Sequence, residues 1–131
     1  MGLADNKIKV TTLVRQIMLD DDITTSYVGK KIFPVVAPKD TIGDFILYQR
    51  DGYSKERTKM GVALQKPLVY INVWSNDYDR SQEIASHLNE LLDDDFIDDS
   101  DPNSIIKIRL IDSSEDYEDN KYIQVLLFEI L

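Results

Sequence analysis

A histidine close to serines is the pattern in this chain that comes nearest to catalytic chemistry. An imidazole next to a serine hydroxyl can act as the base of a nucleophilic hydrolase. His87, the one histidine, has Ser81 and Ser86 near it in sequence, but nothing around them resembles a nucleophile elbow or an oxyanion loop. The pattern therefore favours an ordinary boundary histidine, and we predict no catalytic residue.

Carboxylates are the second group that could do chemistry. Six aspartates crowd residues 93–101, but the run lacks the glycine and the glutamate that a calcium loop of the EF-hand type requires. A nuclease built on paired carboxylates, such as Asp44 with Glu56, is possible on paper, although the spacing singles out no pair. The five glycines are scattered, and there is no cysteine. We therefore predict no metal site, no cofactor and no enzymatic activity.

The composition predicts one acidic globular domain over residues 1–131. With 43% hydrophobic and 30% charged residues, the chain has enough apolar surface for a core. The formal net charge is −9, which disfavours a DNA clamp, because such binding depends on Lys and Arg displacing counterions from phosphates. We find no signal-peptide pattern and no apolar run near the ~20 residues of a membrane span, so we expect neither export nor membrane insertion.

Two amphipathic helices are predicted from the spacing of apolar residues. Residues 7–19 carry the first, and the aspartates at 20–22 mark its end, because negative charge is unfavourable at a helix C-terminus. The second runs from Tyr78 to Leu92, with Asn76 or Asp77 as its N-cap.

Extended segments account for most of the remaining chain. YVGKKIFPVVAP, residues 27–38, suits an edge strand or connector, because proline cannot donate to a strand ladder. Further strands are predicted at 44–50, 66–74, 105–112 and 121–131, with an acidic loop, DSSEDYEDN, between the last two. This order predicts an α+β fold: a single mostly antiparallel β-sheet with two helices packed on one face and a long hairpin arm.

The arm is the polar segment 51–61, DGYSKERTKMG, which is longer than a usual hairpin connection. Together with Arg50 it has two more positive than negative charges. The alternatives are a solvated loop and an arm that reaches the acidic residues 93–101 or 115–119 of a neighbouring subunit. On the second hypothesis the arm's predicted contact residues are Tyr53, Lys55, Arg57 and Lys59.

The strand at 66–74 is apolar on both sides. Val69, Ile71 and Val73 alternate with Leu68, Tyr70 and Trp74. Two helices cover only one face of a sheet, so the other face needs a partner. We therefore predict that Leu68, Tyr70 and Trp74 contact a partner, with packing in the core as the alternative for Trp74.

Three blocks, in this order, resemble the tail completion family of long-tailed phages, which is related in architecture to lambda-type tail terminators. They are YVGKKIFPVVAP, DFILYQRDGY and KPLVYINVWSNDYDRSQEIASHLNELL. The shared features are a Y-x-G-x-(K/R)-(I/V)-(F/Y)-P-x-x-A-P stretch, an F-I-x-Y-x-R strand, and a strand that enters a helix through a W/S-x-x-Y junction. Residues 10–92 carry the resemblance, and the two closing strands extend it.

The resemblance implies a structural subunit of the virion, assembled in the bacterial cytoplasm, with no catalytic residues. It implies a hexameric ring that stops growth of the tail tube and joins tail to head. The partners would be other copies of the chain, the tail tube protein and a head completion or neck protein, while DNA passes through the ring without specific binding. The alternatives are a head completion or neck connector and a host protein-binding adaptor domain; a small hydrolase or nuclease has less support.

Overall fold

A computed structural model describes residues 10–51, 55–58, 61–65, 67–98 and 101–130, of which 51, 55–58, 61–65, 98 and 101–104 are described by their backbone alone. The helices are α1 (Val10–Asp20), α2 (Asp22–Val28) and α3 (Tyr78–Leu92). The strands are β1 (Ile32–Pro34), β2 (Phe45–Asp51), β3 (Lys55–Thr58), β4 (Gly61–Gln65), β5 (Leu68–Ser75), β6 (Asp95–Asp98), β7 (Asp101–Glu118) and β8 (Lys121–Ile130).

Both predicted helices are present, and the aspartates at 20–22 do more than end the first. Helix α1 ends at Asp20, while Asp21 caps a short helix, α2, that the sequence analysis did not predict. The Asp21 carboxylate accepts the Thr24 N–H at 2.8 Å, which satisfies one free donor of the first turn. Asp77 is the N-cap of α3, as one of the two predicted alternatives.

Six strands form one sheet in the order β1-β2-β5-β8-β7-β6. The α+β class is confirmed, but the sheet is mixed rather than mostly antiparallel, because β1 runs parallel to β2. Residues 35–44 carry the chain back to the end where β1 begins, which makes this pair parallel. Of the segment predicted as extended, 27–38, Ile32–Pro34 forms an edge strand, one of the two predicted alternatives, whereas Tyr27 and Val28 belong to α2.

The prediction of an acidic loop at 112–120 is wrong. Strand β7 continues to Glu118 and pairs with β8 from Asp112 opposite Leu127 to Glu118 opposite Lys121. Only Asp119 and Asn120 form the turn, both with positive φ, as a two-residue hairpin turn of type I′ requires. This part of β7 could not be recognised from its polar side chains. It is held in the sheet by backbone hydrogen bonds with β8, which do not depend on the side chains. Part of the other acidic run, Asp95–Asp98, is also a strand.

The core lies between the helices and one face of the sheet. Helices α1 and α3 contact β2, β5 and β8, and the apolar side chains between them are at most 2% exposed. They include Val10, Val14, Met18, Ile84, Leu88 and Leu92 from the helices and Ile46, Val69, Ile71, Val73, Ile108 and Phe128 from the sheet. Each of the two predicted amphipathic helices buries one face, and in β7 Ile106 and Ile108 are buried as well.

Strand β3 lies in the arm, and it forms a separate two-stranded sheet with β4, which begins at the last residue of the arm. Strands β2 and β5 pair with each other as far as Asp51 opposite Leu68, and β3 and β4 form a two-stranded antiparallel sheet between them. The predicted hairpin is therefore present, with a second hairpin as its extension. Tyr53 and Lys59 lie outside the described residues.

Candidate functional site

His87 belongs to the contact between α2 and α3. Its Nε2 lies 2.6 Å from Asp21 Oδ2, and its ring meets Tyr27 edge to face at 6.2 Å between centroids. Burial opposes ionisation of Asp21, but hydrogen bonds with His87 and Thr24 outweigh it and lower the pKa of this carboxyl. Ser81 is buried, and its hydroxyl donates to Tyr78 O, so it is not paired with the histidine. The contacts of His87 are those of a structural residue.

Of the two carboxylates named for a nuclease, Asp44 is likewise used in the fold, whereas the side chain of Glu56 lies outside the described part of the structure. Arg80 Nε donates to Asp44 Oδ2 at 2.7 Å, and this hydrogen bond raises the pKa of Arg80. Arg109 binds Asp95 at 2.6 Å on the far edge of the sheet. Among the described residues, no group of three or more His, Cys, Asp or Glu side chains is placed to hold a metal ion.

The sheet face opposite the helices is the strongest candidate for function, and we call it the open face. Leu68, Tyr70 and Trp74 lie on it along β5, as predicted, and all three are half-buried. Trp74 stacks on Phe45 of β2 with 5.3 Å between ring centroids. The structure therefore places these three residues together, with Trp74 partly packed against its own chain.

A groove of about 290 Å³ crosses the middle of the open face. Gln49, Tyr70 and Asn72 line one side, and Ser114, Val125 and Leu127 line the other. Among the described residues, Asn72 Oδ1 and the neighbouring Trp74 Nε1 are buried without a hydrogen-bond partner. Buried polar atoms are usually paired, so the Asn72 amide, which lines the groove, has a hydrogen-bonding capacity that no described group uses.

Two groups of exposed apolar residues extend the open face, and neither was predicted from the sequence. Ile97 of β6 and Ile105 of β7 pair directly across their strands and are 65% and 58% exposed. The loop after β1 exposes Val35, Val36 and Ile42, and Val35 has φ 64°, which is strained for a β-branched residue. The alternation of Val125 and Leu127 in β8 was the sequence pattern that could have predicted the groove. No periodic pattern in the sequence marks the loop after β1 or Ile97 as part of the open face.

The predicted arm contacts are brought together only in part. Lys55 and Arg57 both lie on β3, whose backbone alone is described, and Arg50 lies on β2. The arm therefore leaves the six-stranded sheet where β2 and β5 end, at Asp51 opposite Leu68. The predicted contacts of the arm with a neighbouring subunit stay a prediction.

No described helix is long and apolar enough to cross a membrane.

Comparisons with known proteins show the fold. A solved structure entitled "Virion of native gene transfer agent (GTA) particle" contains a chain that matches with a TM-score of 0.71. The match covers 89% of this chain and 89% of that chain at 14% sequence identity. Neither the protein-family models nor the curated proteins contain a match to the sequence.

Proposed function

We propose that this protein is a structural virion subunit of a tailed phage or prophage that caps the tail tube as a hexameric ring and forms the interface with the head. The observation that carries the proposal is the fold, which is shared over 89% of both chains with a chain of a gene transfer agent virion. The order of the three sequence blocks, which resemble the tail completion family, supports the position at the head-proximal end of the tail. Neither observation requires catalysis.

The open face suits the contacts of such a subunit. A half-buried apolar face with exposed additions such as Ile97, Ile105 and Val36 is costly to leave in water, and it is typical of a protein interface. We assign Leu68, Tyr70 and Trp74 to contacts with a neighbouring subunit or with the tail tube protein. The head completion or neck protein would then meet the opposite end of the ring.

The charge of the chain suits a ring through which DNA moves. Six copies multiply the net charge of −9 sixfold, and carboxylates near the channel would repel the DNA backbone. At physiological salt this repulsion reaches over roughly 8 Å, so it acts only from residues close to the channel. DNA would pass through the ring without specific binding, since the protein offers no excess of cations to hold it.

The proposal is tested by deleting the gene and examining lysates by electron microscopy, with and without complementation from a plasmid. We expect filled heads separate from tails, with tails longer than normal because nothing stops tube growth. Tails of normal length that fail to join heads would instead indicate a head completion or neck connector. Intact infectious particles would contradict both roles and favour a host protein-binding adaptor domain.

A further inference from the structure

Strand β7 has an edge that no strand of the described chain occupies. Strand β8 pairs along one side of residues 108–118, while β6 pairs along the other side of residues 101–107. Leu110 N–H donates to Asp93 Oδ2 at 3.0 Å, and beyond this point residues 111–118 are all exposed. Eight residues of strand extend over about 26 Å. Such an edge offers backbone donors and acceptors to another strand, which would compete with two local bonds, from the Ser113 N–H to Asp112 at 2.8 Å and from the Tyr117 N–H to Asp116 at 2.7 Å.

The charge of this edge determines which strand could join it. Asp112, Glu115, Asp116 and Glu118 all lie on the exposed stretch, and none of them is in an ion pair within the described part of the chain. Gln124 donates to Glu115 at 2.6 Å, and this hydrogen bond lowers the pKa of Glu115, so the carboxyl is ionised near neutral pH. Like charges across a strand pair are destabilising. The edge therefore resists pairing with a second copy of itself and favours a cationic strand.

The other acidic segment is less available to a partner. Asp95 is already bound to Arg109, and Asp93 accepts the N–H of Leu110. The Asp93 and Asp95 carboxylates thus fasten the 93–95 segment to β7, so a binding arm would have to compete with these bonds inside the subunit.

The arm carries the positive charge that complements the acidic β7 edge. Its strand β3 carries Lys55 and Arg57, and Lys59 follows, against one acidic residue, Glu56. A two-stranded sheet is marginally stable by itself in water, and a third strand stabilises it. In the described residues β3 and β4 pair with each other and with no other strand.

We propose that the arm of one copy adds to the β7 edge of the next copy, so that β3 and residues 111–118 form an intersubunit sheet. This inference rests on the proposed ring. The two surfaces lie on different parts of the chain, so the contact is head-to-tail, and repeating such a contact closes a ring when the rotation between copies allows it. Pairs of opposite charges would set the register of β3 against residues 111–118, and hydrogen bonds between the two backbones would join the strands into one sheet.

Cysteine cross-linking tests the proximity of the two strands, because the natural chain has no cysteine. Thr58→Cys in the arm is combined with Ser114→Cys on the β7 edge, and the purified protein is oxidised with copper phenanthroline. We expect a ladder of linked subunits on a non-reducing gel. The matched control combines Thr58→Cys with Ser26→Cys, an exposed position on α2, and should give no ladder. Equal ladders from the two pairs, or none from Thr58 with Ser114, would overturn the inference.

A charge exchange separates this inference from the proposed function. One variant carries Lys55→Glu and Arg57→Glu, a second carries Asp116→Lys and Glu118→Lys, and a third carries all four changes. Each is tested for complementation of the gene deletion. We expect the first two to lower the yield of infectious particles at least about tenfold and the third to recover most of it.

The outcomes of the exchange point to different failures. If the deletion stops head-tail joining but both reversal variants complement as well as the natural chain, the arm contact is wrong and the ring can stand. If the deletion leaves intact particles, the proposed function fails before the arm is tested, and cross-linking alone then decides the contact. Circular dichroism of each variant excludes misfolding as the cause of a loss.

Discussion

The two faces of the sheet have similar residues and different environments. On β5, Val69, Ile71 and Val73 are 0% exposed beneath the helices, while Tyr70 and Trp74 alternate with them and stay half-buried. The same contrast holds on β8, where Phe128 is buried and Leu127 lines the open groove. Apolar side chains on one face stabilise the fold, whereas those on the other stay half-buried, and we propose that a partner covers them. The difference lies in the helices, which cover one side only.

The largest effect is expected when the covered face is truncated. Ile71→Ala removes a fully buried side chain between β5 and the helices, and such changes cost about 2–5 kcal/mol of unfolding free energy. Urea unfolding followed by circular dichroism measures the loss. A cost below about 1 kcal/mol would mean that the covered face is not the principal core.

A smaller effect is expected at the joint between the helices. Asp21→Ala removes the N-cap of α2 and the contact with His87, and loss of an N-cap costs about 1 kcal/mol. Asp21→Asn is the matched control, because asparagine also caps helices, so it should retain more of the stability in the same thermal unfolding assay. Equal losses would show that the charge, and not the cap, carries the contribution.

The lowered pKa of the Asp21 carboxyl predicts that the free energy of unfolding depends on pH. Its folded pKa is lowered, so its contribution is present above the unfolded pKa of about 3.9 and is lost as the pH falls through the folded value. The unfolding free energy of the natural chain should therefore decrease more steeply on acidification than that of Asp21→Asn. Parallel curves for the two proteins would contradict the lowered pKa.

On the open face we expect little change in stability and a change in assembly. Tyr70→Thr keeps a strand-forming residue and removes the ring from the groove wall, at a cost of less than about 1 kcal/mol. Complementation of the gene deletion should nevertheless fall. If Tyr70→Thr unfolds as easily as Ile71→Ala, the two faces are equivalent and the contrast is wrong.

The smallest effect is spectroscopic. Trp74 is the one tryptophan, and its half-buried ring should shift its emission to shorter wavelength when a partner excludes water from the open face. Emission is compared before and after assembly on purified tail tubes. Unchanged emission on assembled particles would support the alternative that Trp74 is already packed in the subunit.

Much of the fold was predictable because its causes are local. Helical spacing identified α1 and α3, and the cap at Asp77 was one of two alternatives. Strand-forming residues identified β2, alternation of two apolar faces identified β5, and an almost wholly apolar sequence identified β8. Helix α2 was missed because its seven residues are too few to show a period, although Asp21 and Thr24 carry a capping signal. The acidic half of β7 was missed because its side chains face water and carry no apolar pattern.

The candidate site was predictable only in part. The prediction that Leu68, Tyr70 and Trp74 contact a partner followed from their strand, which is apolar on both sides although two helices cover only one face of a sheet. The groove could not be foreseen, since Asn72 and Ser114 are adjacent only through the pairing of β5, β8 and β7. The exposed pair of Ile97 and Ile105 likewise depends on the register of β6 against β7.

The order of residues was sufficient for α1, α3 and most strands, for the α+β class and for the surplus of apolar strand surface, because hydrophobic period, caps and turn residues act over a few positions. It could not state that β1 runs parallel to β2 or that an acidic segment is an open strand edge. Those properties arise from contacts between residues far apart in the chain. They exist only once the sheet is assembled, when pairing assigns every side chain to a face and leaves one edge of β7 without a partner.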